Sequence, residues 1–85
     1  MHVTVISPEA SMYDGPADAV VAPAYDGRVG ILPRHAPFMT LLGTGVLVVR
    51  REGHEHRFTV HRGFLQVVDD TVRVVTERLE EEPAA

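Results

Sequence analysis

The chain has 85 residues, a formal net charge of −4 and no cysteine, which suits one small domain and excludes both a disulfide framework and a thiolate zinc site. All eight basic residues are arginines set in an acidic chain, which argues against a nucleic-acid partner, because phosphate recognition needs a clustered basic face. No run approaches the roughly 20 apolar residues that span a bilayer, and His2-Val3-Thr4-Val5-Ile6 lacks the charged start and small-residue cleavage site of a signal peptide. The expected location is the bacterial cytoplasm unless a partner holds the chain at the membrane.

Short apolar runs broken by turn residues recur about every ten positions and predict an all-β sandwich or barrel without a long helix. Val3 to Ser7 is the first strand, ended by Pro8, and Asp14-Gly15-Pro16 reads as a turn. Ala19 to Ala24 meets Val29 to Leu32 across Tyr25-Asp26-Gly27-Arg28, where the Asp-Gly pair supplies the positive φ of a tight hairpin. Pro33-Arg34-His35-Ala36-Pro37 is an extended connector, since two prolines forbid helix and central strand.

Phe38 to Leu42 resumes a strand, and Gly43-Thr44-Gly45 turns it into Val46 to Arg51. Glu52-Gly53 closes the next hairpin into Arg57 to His61, Gly63 permits a bend before Phe64 to Val68, and Asp69-Asp70 turns the chain into a last strand, Val72 to Thr76. Glu77 to Ala85 is acidic, ends in Pro83-Ala84-Ala85 and reads as a frayed tail. The expected layout is one β domain over residues 1–78 with an acidic tail over 79–85, without repeats or linkers.

Phe38-Met39-Thr40-Leu41-Leu42 and Val46-Leu47-Val48-Val49 are apolar on both faces. In a two-layer sandwich only one face of each sheet is internal, so the outer set meets water or a partner. Valine suits exposed strand positions in its own right, whereas Phe38 and Met39 gain more from burial.

Asp26-Gly27-Arg28-Val29-Gly30-Ile31-Leu32-Pro33-Arg34-His35-Ala36-Pro37 resembles the glycine-rich hairpin and Pro-Gly-His-Ala-Pro connector of the epsilon subunit of bacterial F-type ATP synthases. Val5-Ile6-Ser7-Pro8-Glu9 with Met12-Tyr13-Asp14-Gly15 is similar to that family's opening strand, and Arg62-Gly63-Phe64-Leu65-Gln66-Val67 to its Gly-Gly-Phe-Leu-Glu-Val strand. Order and spacing agree from Val3 to about Arg78.

The resemblance implies a flattened β-sandwich of ten strands in two antiparallel sheets. It implies a non-catalytic rotor subunit of the central stalk, peripheral on the cytoplasmic side of the bacterial plasma membrane. Such a subunit binds the gamma subunit and the c-ring and couples proton flow to ATP synthesis, with no cofactor or metal. Carried over by position, Ser7, Met12, His35 and Thr40 fall on the gamma-facing side and Arg28 at the c-ring-facing turn. The family commonly has an acidic residue where Arg28 stands, so attraction to arginines of the c-ring loop becomes repulsion unless the partner has changed too. Arg34 replaces the usual glycine, at a connector position where arginine disfavours positive φ. The family continues into a C-terminal helical hairpin that the 85 residues do not contain, so the expectation is coupling without inhibition of ATP hydrolysis.

Other chemistries are weaker. His54 and His56 share a strand face near a hairpin tip, but His61 alternates to the opposite face and spacing places no fourth metal ligand. Ser7 or Ser11 with His35 and Asp14 lacks the Gly-x-Ser-x-Gly turn of a hydrolase. Gly27-x-x-Gly30 and Gly43-x-Gly45 lack the helix and lysine of a phosphate loop. His35, between two prolines, is a packing and hydrogen-bonding residue before it is a proton-transfer group. The alternative to the rotor reading is an independent β-module that binds a peptide or carbohydrate.

Overall fold

A computed structural model of the protein describes residues 1–81. These form eight strands and no helix: β1 (His2–Ile6), β2 (Ser11–Pro16), β3 (Ala19–Ala24), β4 (Gly27–Ile31), β5 (Phe38–Leu42), β6 (Gly45–Arg51), β7 (His54–Val68) and β8 (Thr71–Glu81). Glu52 (φ 50°) and Gly53 (φ 80°) connect β6 to β7, and Asp69 (φ 49°) and Asp70 (φ 58°) connect β7 to β8. Positive φ at both central residues gives the turn whose twist matches that of the flanking strands. In the β3–β4 hairpin Ala24 faces Gly27 across Tyr25 and Asp26, and Gly27 (φ 134°) alone takes the positive torsion.

The long strand β7 organises the molecule. One of its edges pairs with β6 as far as Val60 and then with β5 from Gly63, while β8 runs along the other edge. The partner changes at Arg62 (φ 57°) and Gly63 (φ 134°), where the β7–β8 ladder skips from the pair His61↔Arg78 to Gly63↔Thr76. β7 and β8 therefore bend together and serve both layers of the sandwich. One layer runs β2-β1-β8-β7-β5 and the other β8-β7-β6-β3-β4, joined also at Ala24↔Leu42. The resemblance implied ten strands, and the described residues form eight. The difference is that β7 and β8 pass through the corner unbroken, so two strands do the work of four.

The corner has a local cause. A Cβ on Gly63 would lie 1.9 Å from the Val75 carbonyl oxygen, so only glycine fits there. Opposite it, Thr76 is the buried polar residue of the core; its Oγ1 accepts the His61 N–H at 3.1 Å and lies 2.7 Å from the Arg62 carbonyl oxygen.

Strand alternation fills the interior. Val3 and Val5 of β1, Val72 and Val74 of β8, and Leu65 and Val67 of β7 are buried in register with one another. Phe58, Val60, Leu47, Val49, Val20 and Ile31 close the core from the other layer. Val48 is buried as well, so the valine run of β6 is covered on both faces.

Three sequence readings are corrected. Asp14-Gly15-Pro16 is the end of strand β2, not a turn. β2 is an edge strand paired only with β1, where a proline withholds no needed donor. β5 and β6 do not form a hairpin with each other, because Gly43-Thr44 carries the chain between positions on the two halves of β7. The acidic segment from Glu77 is strand as far as Glu81, held by pairs such as Thr59↔Glu80. Residues 82–85 of that expected tail lie outside the described residues.

Candidate binding surface

The outer face of the β5-β7-β8-β1 sheet carries a row of apolar side chains. Leu41 stands opposite Phe64, Phe64 opposite Val75, and Val75 beside Ile6. Leu65, Val74 and Val5, one residue along, are buried in the core, and half-buried Thr40 is in register with them, so the pleat sends the row outward. Leu41 is 63 % exposed and Met39, on the same face, 62 %. The adjacent outward row is Met39, Gln66, Arg73 and Thr4, which is mostly polar.

Beside this face an open cleft of about 630 Å³ separates the β3–β4 hairpin from β5. Tyr25, Asp26, Arg28, Val29, Phe38, Met39, Thr40 and Leu41 line it. Tyr25 is 70 % exposed, held at the rim by its N–H bond to the Leu41 carbonyl oxygen at 3.0 Å.

The five residues singled out in the sequence divide between these features. Arg28 and Thr40 line the same cleft. Thr40 is half-buried and lies opposite buried Leu65, so it belongs to the inner side of β5, and Met39 and Leu41 are the residues that face outward. His35 meets the Phe38 ring edge-on, centroids 5.6 Å apart, with Nδ1 2.7 Å from the Ala36 carbonyl oxygen. Ser7 begins a tight turn just after Ile6, its N–H bonded to the Ala10 carbonyl oxygen at 2.8 Å. Met12 packs against the core from β2, next to the irregularity between Val5 and Ile6. Ser7 and Met12 thus flank the Ile6 end of the row, whereas Thr40 and the Phe38 ring that His35 meets lie on the inner side of β5.

Arg34 takes φ 66°, a left-handed conformation that glycine adopts freely and arginine disfavours. Its N–H donates to Asp70 Oδ1 at 2.7 Å. That bond holds the Asp70 carboxyl below the usual carboxylate range, against an opposing effect of burial and with help from the amino group 3.4 Å away. Glu55 is held low chiefly by its hydrogen bond from Arg50 at 2.6 Å.

The groups weighed for chemistry are not assembled. Asp14 is engaged by His2 at 2.6 Å and not by His35. The His56 ring lies tilted against that of Tyr13, centroids 5.3 Å apart, and His61 Nε2 lies 3.9 Å from Glu80. Among the described residues no group of three or more His, Asp or Glu is placed to hold a metal ion. Tyr25 and Leu41 were not singled out in the sequence, where Met39 was noted with Phe38 on a two-sided apolar strand; the i, i+2 spacing puts Met39 and Leu41 on one face, but the rows they join are visible only in the registers.

The chain is a small two-layer β-sandwich with an outward apolar row and a cleft beside it. Residues 1–82 match the family described as "ATP synthase, Delta/Epsilon chain, beta-sandwich domain". The chain belongs to that family. It is 43 % identical over 77 residues to the ATP synthase epsilon chain of Leptospira borgpetersenii, covering 91 % of this chain and 61 % of that one. It is 38 % identical over 80 residues to the epsilon chain of Chloroflexus aurantiacus, covering 94 % and 58 %. The chain spans about three-fifths of the length of these curated relatives. In structure it is similar to a chain of the Euglena gracilis mitochondrial ATP synthase assembly containing the c-ring, with TM-score 0.86 at 23 % identity, covering 93 % of this chain and 51 % of that one. It is also similar to a chain of the Tetrahymena thermophila mitochondrial ATP synthase central stalk and c-ring, with TM-score 0.77 at 20 % identity, covering 92 % and 63 %. At these identities the two structures speak for the fold.

Proposed function

We propose that this chain acts as a non-catalytic central-stalk subunit of a proton-translocating F-type ATP synthase, binding the gamma subunit and the c-ring so that proton flow is coupled to ATP synthesis. It would sit peripheral to the bacterial plasma membrane on the cytoplasmic side, held there by the complex. The observation that carries this reading is the outward apolar row Leu41, Phe64, Val75 and Ile6, which crosses four strands. Leu41 is exposed and Phe64, Val75 and Ile6 are half-buried beside it, and an outward apolar strip of this kind on a small domain marks a docking face. Of the four residues carried over to the gamma-facing side, Ser7 directly follows Ile6 at one end of this row, whereas Thr40 lies on the inner side of β5 and Met12 packs against the core. Arg28, exposed on the β3–β4 hairpin, is the proposed contact to the c-ring. Membership of the family and the epsilon-chain names of its relatives support the assignment.

The test is calorimetric titration of the folded chain with purified gamma subunit. Binding by the wild type and its loss in Leu41→Arg are expected; a wild type that does not bind gamma overturns the reading.

A further inference from the structure

His61 carries a polar atom that the fold leaves unsatisfied. Its Nε2 is buried and has no hydrogen-bond partner among the described residues, whereas nearly all buried polar groups in folded chains are bonded. Glu80 Oε1 lies 3.9 Å from it, beyond hydrogen-bond reach, and the same oxygen is 3.3 Å from Arg78 Nε. The backbone of His61 is pinned, because Thr76 Oγ1 accepts its N–H at 3.1 Å and lies 3.1 Å from its carbonyl oxygen. The Glu80 side chain is exposed and is the one that can move. Glu80 and Arg78 also belong to the part of β8 that has a single neighbour. β1 pairs with β8 from Thr71 to Val75, whereas Arg78 stands opposite His61 and Glu80 opposite Thr59, both on β7. A strand end held along one edge is where local opening concentrates.

We propose that His61 is a proton-dependent fastener of this strand end. When the imidazole takes a proton from solvent, both ring nitrogens carry hydrogen, and Nε2–H donates to the Glu80 carboxylate, closing the 3.9 Å gap. When the proton leaves, Glu80 keeps only Arg78, and the end of β8 opens more often. The charges around the ring set the size of the effect. On β8, Glu80 favours the proton and Arg78, opposite His61, opposes it. Along β7 the nearby charges are Arg62, next in the chain, and Arg57, four residues back on the same face, and Glu77 lies beyond Arg78 at the corner. The segment Leu42 to Gly45, which meets β7 from its other edge, has no charged side chain. Glu80 is thus the carboxylate within reach, and because it is exposed the gain is that of a surface ion pair. Closing the strand end binds the proton, so the closed form gains as pH falls through the histidine range and loses that gain above it.

The test is hydrogen exchange of the folded chain, followed by NMR at about pH 5 and about pH 7.5, on either side of the histidine range, with rates corrected for the intrinsic pH dependence of amide exchange. Opening at the β8 amides from Arg78 to Glu80 should be roughly twofold to fivefold rarer at the lower pH, the size of an exposed ion pair. The amides of Val3 and Val5, buried in β1, report global opening and serve as the reference. Glu80→Gln and His61→Gln should each abolish the difference, and thermal melting checks that both variants fold. Opening that is equally or more frequent at the lower pH in the wild type, or a difference that survives in Glu80→Gln, overturns the proposal.

Discussion

The N–H of Arg34 donates to Asp70 Oδ1 at 2.7 Å, joining two residues 36 apart in sequence that both stand at positive φ. The bond fixes the connector after β4 to the turn between β7 and β8, and it lets an arginine hold a conformation that glycine adopts freely. Left-handed torsion costs a non-glycine residue about 1–2 kcal/mol, and glycine restores about 0.5–1 kcal/mol of that through its backbone entropy. Arg34→Gly should therefore raise stability by about 0.5 kcal/mol, a Tm gain of about 2–4 °C in a domain of this size, read by thermal melting.

Asp70 also sets an acid limb. Its folded carboxyl is held below the ordinary value of 3.8 by the Arg34 amide, so its stabilisation is complete above that value and is lost as pH falls through the lower folded one. Asp70→Asn keeps an acceptor oxygen for the amide and removes the titration. Melting curves between pH 2 and 6 should show a flatter decline for the variant below about pH 4; an unchanged slope would show that the bond does not bias the protonation of Asp70.

Gly63 is the position least open to change. An added Cβ would sit 1.9 Å from the Val75 carbonyl oxygen and 2.7 Å from Thr76 Cα, both backbone atoms that move only with the strand. Gly63→Ala should cost more than about 3 kcal/mol or prevent folding. Gly30→Ala, with nothing within 4 Å of the new methyl group, should stay within about 0.5 kcal/mol. Urea denaturation of the pair checks the contrast.

Thr76 holds the other side of that corner. Its hydroxyl accepts from the His61 N–H and lies near the carbonyls of Arg62 and Arg78, at 2.7 and 3.0 Å. Thr76→Val keeps the shape and leaves the His61 amide without that acceptor, at a cost of about 1–3 kcal/mol. The denaturation midpoint should fall with an unchanged m-value, and Thr76→Ser should recover most of the loss.

These corner residues show where the sequence was legible. β3 and β5 match the expected strands residue for residue, because each is an apolar run closed by its own turn chemistry. The loops at Glu52-Gly53 and Asp69-Asp70 are local as well, and they formed where expected. Gly63 was legible as a bend but not as a passage between layers, since continuity of β7 depends on pairing with β8, and that partner lies outside any local window. The strand character of Glu77 to Glu81 has the same origin: an acidic run has little strand propensity and is held by the edge that β7 offers. The two-sided character of Phe38 to Leu42 was visible, but which face turns outward was not. Register decides that, and it puts Leu41, not Thr40, in the apolar row.

That distinction sets the sharpest test of the docking face. Leu41 is 63 % exposed, so Leu41→Arg removes an apolar contact and adds a charge at little cost to the fold, within about 0.5 kcal/mol. Thr40→Arg also adds a charge, but Thr40 is half-buried opposite Leu65, so a loss of binding there could arise from strain in β5. If gamma docks on the row, Leu41→Arg should raise the dissociation constant roughly tenfold to a hundredfold, equivalent to about 1.4–2.7 kcal/mol and typical of a residue central to an interface. Met39→Arg is the control on the same face, because Met39 begins the polar row that runs through Gln66, Arg73 and Thr4. It should weaken binding by less than about threefold, as a rim charge does. Calorimetry on the three variants, each first shown to melt like the wild type, reads the result. Equal losses in Leu41→Arg and Met39→Arg would mean that the whole sheet face, not the row, makes the contact, and no loss in either would place the gamma-binding surface elsewhere on the sandwich.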